Sequence, residues 1–142
     1  YKIMAVLTHI NNDVVRIKND VDSVSAAVTL TAADSGKWYE LAASAGVTVT
    51  LPSVESGLHF RFVVANAFDT SNYVIDSAEG DNIDGILVVN GASVAASGED
   101  QINFVASAES VGDFVDMWSD GNKWYVWGIG NSAGSITATD PS

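Results

Sequence analysis

The sequence contains no cysteine, which excludes disulfide bonds, a thiolate zinc site and a cysteine nucleophile. Positive charge is scarce, with 6 Lys and Arg against 18 Asp and Glu and a net charge of −12. Because phosphate backbones and anionic lipid surfaces both attract cationic side chains, this balance argues against nucleic acid and membrane partners. The hydrophobic runs are also far too short to span a bilayer.

What the sequence does contain is ample material for a core. Apolar residues make up 47% of the chain and charged residues only 17%, a composition typical of a globular protein. The 142 residues suffice for one domain, or for one domain with a short appendage.

Histidine occurs only at His9 and His59, and neither has a neighbouring Ser or Asp arrangement that would suggest a catalytic triad. Carboxylate pairs such as Asp113 and Asp116 are expected in a strongly acidic chain without any acid–base role. The sequence therefore predicts no enzyme and no cofactor.

Residues 1–28 carry a hydrophobic repeat of seven, the pattern of a coiled coil. Gly and Pro are absent from this segment, and β-branched residues occupy nearly every core position, which favours three or more strands. The pattern predicts an α-helical stalk that trimerises in parallel; packing of one helix against its own domain is the alternative. The predicted trimer interface consists of Ile3, Leu7, Ile10, Val14, Ile17, Val21, Val24 and Val28.

After Val28 the pattern changes to short apolar segments with a period of two, separated by Ser, Thr and Gly. The clearest hairpin joins residues 114–118 to residues 123–127 through a turn that contains Asp-Gly. The predicted fold class is thus mainly β. It has an N-terminal α-helical trimeric coiled-coil stalk over residues 1–28, followed by an antiparallel β-sandwich or jelly-roll-like head over residues 29–142.

Residues 79–85 (EGDNIDG) gather oxygen ligands between glycines, as calcium sites do, although their spacing is not that of an EF-hand. Asp and Asn side chains that bond to nearby backbone amides in a turn explain the same residues. Whether Asp81 and Asp84 bind calcium is left open, and no metal site is predicted.

Aromatic residues concentrate in the predicted C-terminal hairpin, at Trp118, Trp124, Tyr125 and Trp127. Because successive residues of a strand point to opposite faces, these rings cannot all enter one core. They are therefore candidates for surface contact. The interpretations are packing in the core or a subunit interface, contact with a larger assembly, and a ligand such as a glycan, whose flat sugar faces suit aromatic rings.

Four segments resemble those of a known group of proteins: residues 30–37 (LTAADSGK), 46–52 (GVTVTLP), 57–64 (GLHFRFVV) and 119–126 (SDGNKWYV). They resemble trimeric bacteriophage virion surface proteins, of the head decoration (cement) or head-fibre type, which are related to tail-fibre β domains. The resemblance covers most of residues 28–140, concerns strand and turn signatures, and implies no catalytic residue.

The resemblance implies a structural role on the virion. We expect a homotrimer that binds the viral major capsid protein and stabilises the capsid surface, since added subunit contacts stabilise an assembled shell and a trimer matches its threefold positions. The alternative is a tail-fibre tip that recognises a host surface glycan. A bacterial adhesin with a trimeric stalk is a third interpretation.

Overall fold

The computed structural model describes residues 18–77 and 83–141, which form twelve β-strands and one short 3₁₀-helix, η1. The elements are β1 (Val21–Val24), β2 (Val28–Thr29), η1 (Ala32–Asp34), β3 (Trp38–Leu41), β4 (Thr48–Thr50), β5 (His59–Val64), β6 (Tyr73–Asp76), β7 (Ile83–Val89), β8 (Ala92–Glu99), β9 (Gln101–Phe104), β10 (Phe114–Ser119), β11 (Trp124–Gly130) and β12 (Ile136–Thr139).

The strands form two sheets. The larger sheet has seven strands in the order β1-β3-β5-β10-β11-β7-β8, and the smaller has five in the order β12-β9-β6-β4-β2. From β1 to β6 the chain alternates between the two sheets, and each strand pairs in parallel with the one two places before it. This first half therefore winds as three successive coils, each of which places one strand in the larger sheet and one in the smaller sheet. In the second half, all pairings are antiparallel except the one between β11 and β7.

A single hydrophobic core lies between the sheets. On the larger sheet's inner face, Phe60 packs against Tyr39 and Trp124, with ring centroids 6.4 and 5.9 Å apart. The smaller sheet contributes Ile75 and Phe104 among its fully buried side chains. Large aromatic and β-branched residues at alternate positions thus hold the two sheets together.

Tyr73 ties the first coil to the rest of the fold. Its ring is fully buried, and its hydroxyl donates a 2.6 Å hydrogen bond to the Val24 carbonyl at the end of β1. The same hydroxyl accepts a 2.9 Å hydrogen bond from the Ala43 N–H. One side chain thus satisfies a buried backbone acceptor and a partly buried backbone donor.

The predicted coiled-coil stalk is wrong within the described residues, which contain no α-helix. Val21 and Val24 lie in β1, which pairs in parallel with β3, and Val28 begins β2. A three-residue spacing puts Val21 and Val24 on opposite faces of a strand, so Val24 is buried whereas Val21 is exposed. Valine is favourable in β-strands as well as in coiled-coil seams, and pairing with β3 makes Val21–Val24 a strand rather than a helix. The remaining predicted seam residues, Ile3, Leu7, Ile10, Val14 and Ile17, lie outside the described residues.

The β part of the prediction is confirmed in its mainly β character but not in its strand directions, because parallel and antiparallel pairs are mixed in both sheets. The predicted hairpin is confirmed: β10 and β11 pair antiparallel, with Trp118 opposite Tyr125. The turn between them is stabilised by Asp120, whose carboxylate accepts hydrogen bonds from the N–H groups of Asn122 and Lys123.

Candidate functional site

The outer face of the seven-stranded sheet exposes an unusual amount of apolar surface. The described residues include nine large hydrophobic side chains that are exposed to solvent, and seven of these lie on this face. Monomeric proteins seldom leave a large contiguous apolar patch in water. We call this surface the aromatic face, and its main outward side chains are Val21, Trp38, His59, Arg61, Ile86, Val88, Phe114, Asp116, Trp118, Tyr125, Trp127 and Ile129.

Register brings these side chains together. Trp38, Arg61, Asp116 and Trp127 lie directly opposite one another across β3, β5, β10 and β11, and Ile86 continues the row on β7. Cross-strand neighbours on one face are within contact distance, so the row forms a continuous surface.

The rings of the aromatic face contact each other in favourable geometries. Trp118 and Tyr125 are stacked, with centroids 4.6 Å apart and an interplanar angle of 26°. Phe114 and Trp127 meet edge to face at 5.4 Å. Because these contacts already restrict the rings, little further side-chain conformational entropy is lost when a partner covers them.

Arg61 lies at the centre of the face. Its guanidinium carbon is 5.1 Å from the centroid of the Trp38 ring and 5.7 Å from that of Phe114, so the cation is held between two aromatic side chains. Its Nη2 donates a 2.8 Å hydrogen bond to Asp116. Aromatic residues and arginine are the residue types that contribute most to binding energy in protein interfaces.

Asp116 connects the two basic side chains of the face. One carboxylate oxygen accepts the bond from Arg61, and the other is hydrogen-bonded to Nε2 of His59. Burial raises the pKa of Asp116, but the hydrogen bonds from Arg61 and His59 outweigh this effect and hold the pKa below its ordinary value. Asp116 therefore stays ionised and neutralises Arg61 within the face.

A second ion pair lies at the rim, where Lys123 contacts Asp84. Lys123 and the backbone N–H of Gly98 lower the pKa of Asp84. Two further carboxylates lie at this face: Glu40 accepts a 3.3 Å hydrogen bond from Ser23, and Asp120 accepts one of 3.3 Å from the Tyr125 hydroxyl. The face thus carries little of the net charge of −12.

The outer face of the five-stranded sheet is polar by contrast. Its outward side chains include Asp76, which accepts a 2.8 Å hydrogen bond from Gln101, and Asn103, which donates a 2.9 Å bond to Thr139. Thr48 and Thr50 continue this polar surface on β4. The difference between the two outer faces identifies the aromatic face as the candidate interaction site.

The four aromatic residues singled out in the sequence are divided between two surfaces. Trp118 and Trp127 are exposed by 48% and 49%, and Tyr125 lies beside them on the aromatic face. Trp124, by contrast, is 0% exposed and packs against Phe60 in the core. Trp124 is therefore a core residue and not a surface contact.

Several residues of the face were not predicted from the sequence to be surface contacts. Arg61 and Asp116 are 55 residues apart, and His59 reaches Asp116 across 57 residues. Trp38 and Ile86 join the same row only through strand pairing. The alternation along β5 and β7 indicates which residues point outward, but the order of strands across the sheet has no local signal.

The acidic loop is only partly described. Asp81 lies outside the described residues, whereas Asp84 is already paired with Lys123 and Gly98. Residues 18–77 and 83–141 contain no group of three or more His, Asp or Glu side chains placed to hold a metal ion. Across the same ranges there is no helix with the length and apolar character needed to cross a membrane.

Two clefts lie away from the aromatic face. One, with a volume of about 320 Å³, is lined by Phe68, Asp69 and Glu109 among others. The other, with a volume of about 410 Å³, is lined by residues 22–28 and Tyr39. Glu109 is held in the first cleft by the Phe68 N–H, which donates a 2.8 Å bond to it. Each cleft has a single aromatic side chain in its lining, Phe68 or Tyr39, whereas the aromatic face presents several rings around Arg61.

Comparison of the chain with protein families, with curated proteins and with solved structures finds no match.

Proposed function

We propose that this protein is a non-enzymatic structural component of a bacteriophage virion, a homotrimeric capsid decoration (cement) or head-fibre protein that binds and stabilises the capsid surface. The aromatic face, as an interface between protein chains, carries the assembly role in this proposal. It combines exposed Trp and Tyr side chains with a central Arg61 and few unpaired charges, the composition of the energetically important part of a protein interface.

Three of the four phage-like segments lie in or beside the strands of this face. Residues 57–64 include β5, with His59 and Arg61, and residues 119–126 run from the end of β10 through the turn into β11. Residues 30–37 lead directly into β3 and Trp38, whereas residues 46–52 contain β4 of the five-stranded sheet. The resemblance and the aromatic face therefore overlap in three segments, and both favour a role in assembly.

The proposal is tested on intact phage particles that encode this chain. Gold-labelled antibodies against the β fold are imaged by electron microscopy, and we expect label over the whole head. Particles without any label would contradict a structural role on the virion. Capsids from a deletion mutant should also lose resistance to heat, and the wild-type protein should restore it.

A tail-fibre tip that binds host glycan is the second candidate. It is favoured by the exposed Trp118 ring, which is stacked on Tyr125, whose hydroxyl donates a hydrogen bond to Asp120, since flat rings with polar neighbours suit sugar faces. Gold label restricted to the tail, together with binding on a glycan array that Trp118→Ala abolishes, would establish this candidate in place of capsid decoration.

A further inference from the structure

We infer that the aromatic face is the contact between copies of this chain, so that the subunits of the oligomer associate through the outer sides of their seven-stranded sheets. This inference rests on the proposed function for the number of copies, which is three. It assigns the homotrimer contact to residues of the β fold rather than to a helical seam.

Charge at the face itself does not oppose a second copy as the occupant, even though each chain carries a net charge of −12. The cation and carboxylate at the centre, Arg61 and Asp116, neutralise each other within one chain, and Lys123 does the same for Asp84 at the rim. Two such faces meet without strong like-charge repulsion. A basic partner would instead be matched by unpaired carboxylates, and most acidic residues of this strongly acidic chain lie elsewhere.

The area of the face can be compared with that of a typical subunit contact. Seven strands spaced by about 4.8 Å and about 20 Å long give a projected area of roughly 600 Å². The protruding Trp side chains increase the accessible area beyond this value. A stable two-partner interface buries about 800 Å² on each partner, and in a trimer this one face would supply the area that each chain buries against both of its neighbours.

A threefold arrangement uses the two halves of the face together. In a cyclic trimer each subunit contacts both neighbours through different patches. The half formed by β1, β3 and β5 would meet the half of the neighbour formed by β11, β7 and β8, with β10 nearest the axis. Trp38 on one chain would thereby approach Trp127 or Ile86 on the next.

The tryptophans allow a direct test without any substitution. Three of the four, Trp38, Trp118 and Trp127, lie on the aromatic face, and the fourth, Trp124, is buried in the core whether or not chains associate. Quenching by acrylamide and the emission maximum therefore report on the face. Measured over a wide range of protein concentration, quenching should fall and emission should shift to shorter wavelength as the mass rises.

Mass is measured on the same samples by light scattering, with an expected value of roughly three times the 14.9 kDa of the chain. Trp127→Asp should reduce the mass to that of one chain. Val111→Asp is the matched control, since Val111 is exposed by 66% but lies in the loop before β10, away from the face. It should leave the mass unchanged.

Ile86→Cys provides a second variant that preserves the fold, because the chain has no other cysteine. Its thiol should react with a maleimide several-fold more slowly in the oligomer than the thiol of Val111→Cys. Equal rates in the oligomer, or an oligomer that Trp127→Asp leaves intact, would overturn the inference.

A chain that remains a monomer with quenchable tryptophans would also overturn it, and would assign the face to a foreign partner such as the capsid. A mass of two chains would support the face as a self-contact but contradict the proposed trimer. Virion labelling is a separate experiment, so failure of the proposed function is distinguishable from failure of this inference.

Discussion

Removal of the Tyr73 hydroxyl tests the contact that holds β1, the strand found where the sequence predicted a helix. In Tyr73→Phe, the Val24 carbonyl and the Ala43 N–H both lose their partner, because the hydroxyl bonds to both. A buried polar group that is left without a hydrogen-bond partner lowers the free energy of unfolding by about 1–3 kcal/mol. The Val24 group is buried and the Ala43 bond is partly buried, so we expect a loss of about 3 kcal/mol in the free energy of unfolding.

Urea unfolding followed by Trp fluorescence measures this loss, and a thermal scan should show a midpoint lower by roughly 10 °C for a chain of this size. Tyr39→Phe is the matched control. Its ring is equally part of the core, but its hydroxyl forms none of the inter-strand hydrogen bonds seen among the described residues. A Tyr73→Phe protein as stable as the Tyr39→Phe protein would refute the assignment of Val21–Val24 to a strand anchored by Tyr73.

Two further predictions concern the strands that carry the aromatic face. Gly128→Ala should prevent β10 and β11 from pairing, because the added Cβ would lie 2.3 Å from the Phe114 carbonyl oxygen; a loss of native circular dichroism checks this, and a stable variant would contradict it. Asp116 has a pKa below its ordinary value of 3.8, so its ionised form stabilises the fold above that pH, and the contribution is lost as the pH falls through the lowered value. Urea midpoints of Asp116→Asn should therefore be lower than wild type at pH 7, and the difference should shrink toward pH 3; a constant difference would argue against the ion pair.

Much of the strand content could be predicted from local patterns. The segments at Trp38–Leu41, His59–Val64 and Tyr73–Asp76 alternate buried residues with less buried ones, which is the period of two from which strands are predicted after Val28. By contrast, β8 (Ala92–Glu99) has no such signal, because Ala, Ser and Gly have low strand propensity. It becomes a strand through its antiparallel pairing with β7.

The error over residues 21–28 has a specific physical cause. Spacings of three and four residues between valines fit a helical seam, but the same residues also favour extended backbone. Which state wins depends on partners far away in the sequence, here Trp38 and Leu41 opposite Val21 and Val24. A pattern that is read within one segment does not contain this information.

The candidate site was predictable only in part for the same reason. Two similar stretches, residues 34–39 (DSGKWY) and 120–125 (DGNKWY), each consist of a turn that enters a strand. In the first, Trp38 points outward and Tyr39 is buried; in the second, Trp124 is buried and Tyr125 points outward. A register difference of one residue reverses the two faces, and this register is set by pairing with β5 and β10.

The alternation along β10 gives the two sides of a single strand different tolerance to substitution. Val115 and Met117 face the core, whereas Phe114, Asp116 and Trp118 face outward. Substitutions at the outward positions leave the volume of the core unchanged and alter the surface that we propose as an interface. An insertion or deletion of one residue has no such freedom, because it exchanges the two sets and changes the core and this surface at once.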